Sequence, residues 1–318
     1  MDRPARRPAL RAVAALPLAV ALRNAGRSLR GAVRPATALA AFAGGARAGA
    51  QDVPQPEKQP IMAGPYVPSP DTVVSQMLEM AGVGPDDVLI DLGSGDGRIV
   101  LTAATLRGAR GLGVEIQEKL VAASIEAAAR AGVADRARFA RQDLFTTDVS
   151  RATVVTIYLL PETVNLLRDK LQHELRPGTR VISHDYPISG WLPESWKRLD
   201  EPEKKGVTGQ PSATVYLYRV PAQVGGRWAA PLPAELGRAR VVLALRQQWQ
   251  MLDGMATVAG REVPLEEVRL SGERVAFRLS LERGRAAVFE GVAAGDAIEG
   301  ALQVHRGPAL PWRVTRLG

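Results

Sequence analysis

The 318-residue sequence predicts an α/β protein, with a doubly wound, largely parallel sheet followed by a small antiparallel β-barrel or sandwich. Three observations carry this. The apolar run Val88-Leu89-Ile90 ends in Asp91 and three alternate glycines, Gly93, Gly95 and Gly97, the pattern of a buried strand turning tightly into a helix. Strand and helix signals then alternate as far as Val220. Beyond Val220 the helical signals fade, and short alternating segments are punctuated near Gly254, Gly260, Gly272, Gly284 and Gly295, as in an antiparallel meander.

Residues 1–50 read as a signal or targeting segment, rich in arginine and alanine. Its apolar stretches, Ala12–Leu22 and Ala36–Gly45, are too short to cross a bilayer as helices. Ala48-Gly49-Ala50 before Gln51 has the small-residue pattern of a signal-peptidase site. Export to the periplasm, with cleavage after Ala50, is the expectation. A cytoplasmic protein with a downstream start near Leu29 to Val33, or a mitochondrial one if the source is eukaryotic, are the alternatives. Residues 51–64 form a Pro/Gln-rich linker, residues 65–221 the α/β domain and residues 222–318 an all-β domain.

The formal charge of +8 belongs to the first segment, which holds nine arginines and one acid, Asp2; the rest of the chain is balanced. Composition therefore does not indicate a basic groove for nucleic acid. With no cysteine and only His173, His184 and His305, widely spread, neither a disulfide framework nor a metal site is expected.

In Pro65-Tyr66-Val67-Pro68-Ser69-Pro70-Asp71, Ser69 is expected to cap a helix with Pro70 at its first position. Val73, Val74, Met77, Leu78 and Ala81 would form its apolar face, ending at Gly82. Helices are then predicted from Arg98 over Ile99–Leu106, over Glu118–Ala131 with Gly132 as the stop, and over Glu162–Leu175. Strands are predicted at Val88–Ile90, Gly111–Glu115, Arg138–Asp143, Ala152–Tyr158, Gly178–His184, Trp196–Leu199 and Ala213–Val220. In the C-terminal part, after Gly226-Arg-Trp228, the segments are Arg240–Leu245, Glu267–Leu270, Val275–Leu281, Ala286–Gly291 and Ala297–Val304. Val275, Phe277, Leu279 and Leu281 share one face, with Arg278 and Glu282 on the other.

The glycine turn marks a ligand site. Without Cβ atoms its backbone can approach a nucleotide-like molecule, and the new helix is expected to offer unpaired N–H groups. A dinucleotide fingerprint is excluded because the third glycine comes one residue early and Arg98 takes the sixth place. The nicotinamide-dependent class is disfavoured with it. No Gly-Lys-Ser/Thr follows, so there is no P-loop. Two further strands end in acids, Glu115 and Asp143, and an acid at the position of Glu115 can accept two hydrogen bonds from ribose hydroxyls.

Asp91-Leu-Gly93-Ser94-Gly95-Asp96-Gly97 resembles motif I of class I S-adenosylmethionine-dependent methyltransferases. Residues 61–220 as a block resemble the small family that includes the mitochondrial protein-lysine methyltransferases of the ATP synthase c-subunit and of adenine nucleotide translocase, with bacterial relatives. The likeness rests on that motif with Arg98, on Pro65-Tyr66-Val67-Pro68-Ser69, Gly111-Leu-Gly-Val-Glu115, Gln142-Asp143-Leu-Phe, Tyr158-Leu-Leu-Pro161 and Ser183-His184-Asp185-Tyr-Pro. It implies a Rossmann-like seven-stranded methyltransferase sheet with an antiparallel last strand at Thr214–Arg219. It also implies S-adenosyl-L-methionine as cofactor, held by Tyr66, Ser69, Asp91, Gly93, Ser94, Gly95, Asp96, Gly97, Glu115 and Asp143. In such a site the glycine turn accommodates the amino-acid half and the sugar, acids hold the ammonium, and Asp143 reaches the adenine amino group.

On the catalytic side the resemblance places Tyr158 and Pro161 beside the methyl acceptor, while His184 and Asp185, ending the next strand, are candidates to accept a proton or hold substrate. Tyr66, Tyr158 and Trp191 are expected to act mainly as walls. The reaction expected is N-methylation of a protein lysine. A small-molecule methyltransferase, or an exported binding protein without turnover, are the alternatives. Expected partners are a protein or small-molecule acceptor, no nucleic acid, and an envelope partner through the C-terminal β domain. That last segment resembles the small up-and-down barrels or sandwiches attached to exported bacterial proteins, and shows no chemical constellation.

Overall fold

The computed structural model describes residues 66–281, 284–305 and 307–318. The expected signal segment 1–50 with its cleavage point, the linker 51–64, and Glu282 lie outside the described residues.

Helix α1 (Asp71–Met80) buries Val73, Val74, Met77 and Leu78, the face its spacing predicts. Its N-cap is Pro70, with no side-chain cap, so the expected Ser69 cap is corrected; the hydroxyl is engaged elsewhere. The chain then runs β1 (Val88–Leu92), α2 (Arg98–Arg107), β2 (Arg110–Glu115), α3 (Glu118–Arg130), β3 (Ala137–Arg141), β4 (Val154–Ile157), α4 (Pro161–Glu174) and β5 (Arg180–His184). After β6 (Ser195–Asp200), a 3-10 turn at Pro202–Lys204 and the single-turn α5 (Lys205–Thr208) lead into β7 (Ser212–Arg219).

These strands form one seven-stranded sheet in the order β3-β2-β1-β4-β5-β7-β6. β1 to β5 pair in parallel, and β7 is antiparallel to both its neighbours. Strand order reverses between β1 and β4. The crevice beyond their carboxyl ends is where an open α/β sheet binds ligands. Leu89 joins the core shared with α1 and α2, while Ile90 and Leu92 join the core shared with α4. Asp91 therefore shares the face of Leu89, opposite Thr156 of β4 in register. β3 stops at Arg141, so Asp143 lies in the loop beyond its end and not in the strand as expected.

The remaining strands are β8 (Gly226–Pro231), β9 (Arg240–Gln248), β10 (Met251–Val258), β11 (Arg261–Ser271), β12 (Arg274–Ser280), β13 (Ala286–Ala294), β14 (Ala297–Val304) and β15 (Ala309–Arg316). They close into an antiparallel barrel in the order β10-β11-β12-β13-β14-β15-β8-β9. Inward alternation fills it with Trp228, Val275, Phe277, Leu279, Phe289, Ile298 and Leu302, all essentially inaccessible. Phe277, Phe289 and Trp312 pack with ring centroids 4.9 to 6.4 Å apart. Gly254, read as a turn, instead lies inside β10, where a Cβ would come 2.7 Å from the Ala244 carbonyl oxygen.

Candidate active site

The site begins at the turn between β1 and α2. Gly93, Gly95 and Gly97 have φ of +83°, +53° and +78°, in the left-handed region that glycine enters without penalty. A Cβ on Gly93 would stand 2.7 Å from Leu159 Cδ2, and one on Gly95 2.5 Å from Tyr66 Cε2. These two glycines keep the floor of a cleft open. Gly97 serves differently: its Cβ would meet Phe139 and Ser124 beneath the turn, so it packs the turn onto β3 and α3.

The N–H groups of the turn are largely spent within the protein. Those of Gly93 and Ser94 both donate to the Val114 carbonyl at 2.9 Å, and that of Gly97 to Ser94 O at 2.9 Å. Gly95 N–H donates to Glu115 Oε2 at 3.0 Å, and Arg98 N–H, the first of α2, to Asp96 Oδ1 at 3.2 Å. The expectation of unpaired N–H groups there is corrected at these positions. A pyrophosphate would find few donors; a cation finds carboxylates.

Asp91 is buried and accepts a hydrogen bond from Thr156 Oγ1 at 2.6 Å. Burial, opposed by that hydrogen bond and reinforced by the charges of Glu115 and Asp96, pushes its carboxyl up to about 7. Glu115 Oε1 accepts from the N–H groups of Ile116 and Gln117 at 2.8 and 3.0 Å. With Gly95 on Oε2, three of roughly four acceptor sites are used, which fixes the carboxylate and leaves one on Oε2. Asp143 is held by the Phe145 N–H at 2.8 Å. Burial works against the Asp96 charge, but the two-pronged Arg98 contact, at 3.0 and 2.7 Å, holds its carboxyl below the usual range.

Arg98 also donates from Nη1 to the Ser69 carbonyl at 2.8 Å, and so ties residues 66–69 across the glycine turn as a strap. Partial burial first, and then the Asp96 carboxylate, push the Tyr66 phenol above its ordinary value. Ser69 Oγ lies 2.9 Å from His184 Nδ1. The His184 ring, wholly buried, stacks on Tyr158 with centroids 3.8 Å apart. Burial first, then the Asp185 carboxylate, raise the Tyr158 phenol far beyond the range in which it could ionise.

Tyr66, Ser69, Asp91, Gly93, Ser94, Gly95, Asp96, Glu115, Asp143 and Tyr158 all line one cleft, which holds about 870 Å³ of empty space counting its open mouth. Gly97, Pro161, His184 and Asp185 do not line it. Pro161 is the first residue of α4, where its fixed φ suits a helix start. His184 sits behind Tyr158, and Asp185, at φ +63°, accepts from Thr214 N–H at 3.1 Å and pairs with Lys204. Trp191 is corrected as a wall: it is buried against Tyr218 and stacks on Trp249 beside the barrel at 5.2 Å. Sequence reasoning missed Arg98 and Lys204. Arg98 was read as a helix start, as part of the glycine motif and as the residue that breaks a dinucleotide fingerprint, with no role in the site, and Lys204 follows an edge strand with no motif around it.

The ANTKMT methyltransferase domain matches residues 91–195, from Asp91 to the start of β6. A protein-lysine N-methyltransferase of Saccharolobus islandicus (strain REY15A) is 42% identical over 155 residues, covering 48% of this chain and 92% of that protein. The chain belongs to this methyltransferase family. An adenine nucleotide translocase lysine N-methyltransferase of Mus musculus is 36% identical to this methyltransferase over 129 residues, 41% of this chain and 56% of that one. A solved RNA methyltransferase from Salinibacter ruber, in complex with S-adenosyl-L-homocysteine, shares 46% identity over 50% of this chain and 96% of that chain, with a TM-score of 0.46.

The family's cofactor is S-adenosylmethionine, and the cleft suits it. Asp91, Glu115 and Asp143 give the lining negative charge, and its one cation, Arg98, is spent on Asp96. That matches a ligand carrying a sulfonium and an ammonium group. Ser94 adds a buried hydroxyl with no protein partner at the same wall. Among the described residues no group of side chains could hold a metal ion.

Proposed function

We propose that this methyltransferase N-methylates lysine side chains of a protein substrate. When bound, S-adenosylmethionine supplies an electrophilic methyl group on a sulfonium sulfur, which becomes a neutral thioether once the C–S bond breaks and the new C–N bond forms. The observation that carries the reading is the neutral aromatic wall of Tyr158 facing a carboxylate-lined cleft. It is supported by the protein-lysine N-methyltransferase relative.

Asp91 would take the cofactor's ammonium, Glu115 Oε2 a ribose hydroxyl and Asp143 the adenine edge. Tyr66 would cover the turn as part of the Arg98-anchored strap. Tyr158 cannot serve as a base with so high a pKa, so it would orient the incoming nitrogen and keep water away. The acceptor lysine must lose a proton before it attacks. Exclusion of water around the acceptor would lower the pKa of its ammonium and favour the free amine, with water as the final proton acceptor.

Export and an envelope partner for the barrel belong to the same proposal. Their support is Ala48-Gly49-Ala50 in the sequence and the exposed Met251, Met255, Val288 and Val292 on the barrel strands.

The test is incubation with methyl-deuterated cofactor and separated soluble and envelope protein fractions, followed by mass spectrometry of the labelled peptides and of the enzyme's own N-terminus. Label on lysine Nε in the envelope fraction and a start at Gln51 are expected. Label confined to small molecules would overturn the lysine reading, and an uncleaved enzyme would overturn export.

A further inference from the structure

Behind Tyr158 lies a buried polar cluster that cofactor binding does not account for. Its centre is Lys204, buried at the end of the short 3-10 turn between β6 and β7. The ammonium pairs with the Asp185 carboxylate, donates to the Ser212 carbonyl at 3.2 Å and reaches His184 Nε2 at 3.3 Å. It also lies 5.7 Å from the centre of the Tyr158 ring. The same turn is anchored a second time: buried Glu201, immediately before it, accepts a hydrogen bond from Thr72 at the start of α1. A charged residue is costly to bury, and two within four positions of an edge insertion call for an explanation.

Hydrogen-bond accounting supplies one. An ammonium can only donate, so His184 Nε2 must be its acceptor. A neutral imidazole then carries its proton on Nδ1, and Nδ1–H donates to Ser69 Oγ. Burial first, against the nearby Asp185 carboxylate and with the Lys204 charge, keeps this ring neutral, down to about 4. One ring thereby touches the strap through Ser69 and the acceptor wall through its stack on Tyr158. With the Nδ1 proton directed at it, the Ser69 hydroxyl keeps its own hydrogen free for the cleft.

We propose that Lys204 is a positioning residue for methyl transfer: by donating to Nε2 it fixes the His184 tautomer that holds Ser69 and Tyr158 together at the cleft. The inference rests on the reading of the cleft as a methyl-transfer site. Without the ammonium, Nε2 still has Asp185 Oδ1 at 3.5 Å, an acceptor. It would draw the ring proton to Nε2, turn Nδ1 into an acceptor, and force the Ser69 hydroxyl to reverse.

The experiment uses the full chain, labelled with nitrogen-15 and saturated with S-adenosylhomocysteine. Long-range nitrogen–proton correlation reads the His184 tautomer in wild type, Lys204→Met and Lys204→Arg, and calorimetry and methylation assays follow on the same three proteins prepared without S-adenosylhomocysteine. The expected result is an Nδ1–H tautomer in wild type and Lys204→Arg, and Nε2–H in Lys204→Met. In Lys204→Met, kcat is expected to fall at least tenfold while the S-adenosylhomocysteine Kd stays within about threefold. A merely structural lysine would change stability without moving the tautomer. An unchanged tautomer in Lys204→Met, or a changed one with kcat within twofold, overturns the proposal. Should Lys204→Met fail to fold, the wild-type ring decides: a proton on Nε2 overturns it and one on Nδ1 supports it. If wild type binds cofactor yet labels no protein lysine, the functional reading falls, and the tautomers still judge this one.

Discussion

The Asp91 carboxyl, pushed up to about 7 chiefly by burial, stands near half-ionisation at neutral pH before any cation arrives. An acid whose folded pKa is raised lends stability that is complete below its unfolded value, near 4, and lost as pH rises through about 7. Removing the charge with Asp91→Asn should therefore make the ligand-free protein more stable than wild type at pH 8, by at most about 4 kcal/mol at ~1.36 kcal/mol per pKa unit, shrinking to roughly 1.5 kcal/mol at pH 5, about one unit above the unfolded value. Cofactor binding has the opposite sign. Wild-type affinity should weaken as pH falls from 8 to 6, because an ammonium needs the ionised carboxylate, and Asp91→Asn should weaken it by on the order of 10- to 100-fold at pH 8 and flatten the pH dependence. Thermal melts and calorimetry at the two pH values check both; equal affinity and equal slope in the variant would remove Asp91 from the site. At this scale the sequence showed that Glu115 ends its strand, since chain position alone sets that, whereas Asp143 falls two residues past the end of β3. It did not show that His184 turns into the core, because the direction of a strand-end side chain depends on packing: the ring is committed to Tyr158, Ser69 and Lys204.

Among the elements, the glycine turn and the strap act as a pair. Gly95 touches the Tyr66 ring through a position where any Cβ would lie 2.5 Å away. Gly95→Ala also places alanine at a φ of +53°, which costs roughly 1–2 kcal/mol. Tyr66 is 42% exposed and can swing aside, so stability should fall by little more than that backbone cost. Affinity for S-adenosylhomocysteine should fall on the order of tenfold or more, because the strap no longer closes over the turn. Calorimetry beside a melting curve separates the two, and an unchanged affinity would show that the strap plays no part in binding. The turn was legible because glycine enters the left-handed region without penalty, and three alternate positions need it. Its internal hydrogen bonds were not, since the Val114 carbonyl and the Glu115 carboxylate arrive from a neighbouring strand. Nor was the Ser69 hydroxyl, whose partner His184 is 115 positions away in the chain.

For the whole molecule, the βαβ rhythm was enough to predict a largely parallel sheet, because each crossover is a local decision with a fixed hand. The barrel was half legible. Alternation exposed the inward face of β12 at Val275, Phe277 and Leu279. β10 was hidden by Gly254, which reads as a turn but permits a close strand approach, and closure depends on β8 meeting β15 from opposite ends of the barrel sequence. The two parts join through the Trp191–Trp249 stack and through Ser271 Oγ, which donates to Glu194 at 2.6 Å. These residues lie outside the cleft lining, so the barrel leaves the cofactor account unchanged. A crystal structure of the full chain with S-adenosylhomocysteine tests that account most directly. The expected density lies over Gly93–Gly95, with the ammonium at Asp91, a ribose hydroxyl within hydrogen-bond distance of Glu115 Oε2 and the adenine beside Asp143. A molecule bound elsewhere, or one whose sugar makes no contact with Glu115, would contradict it.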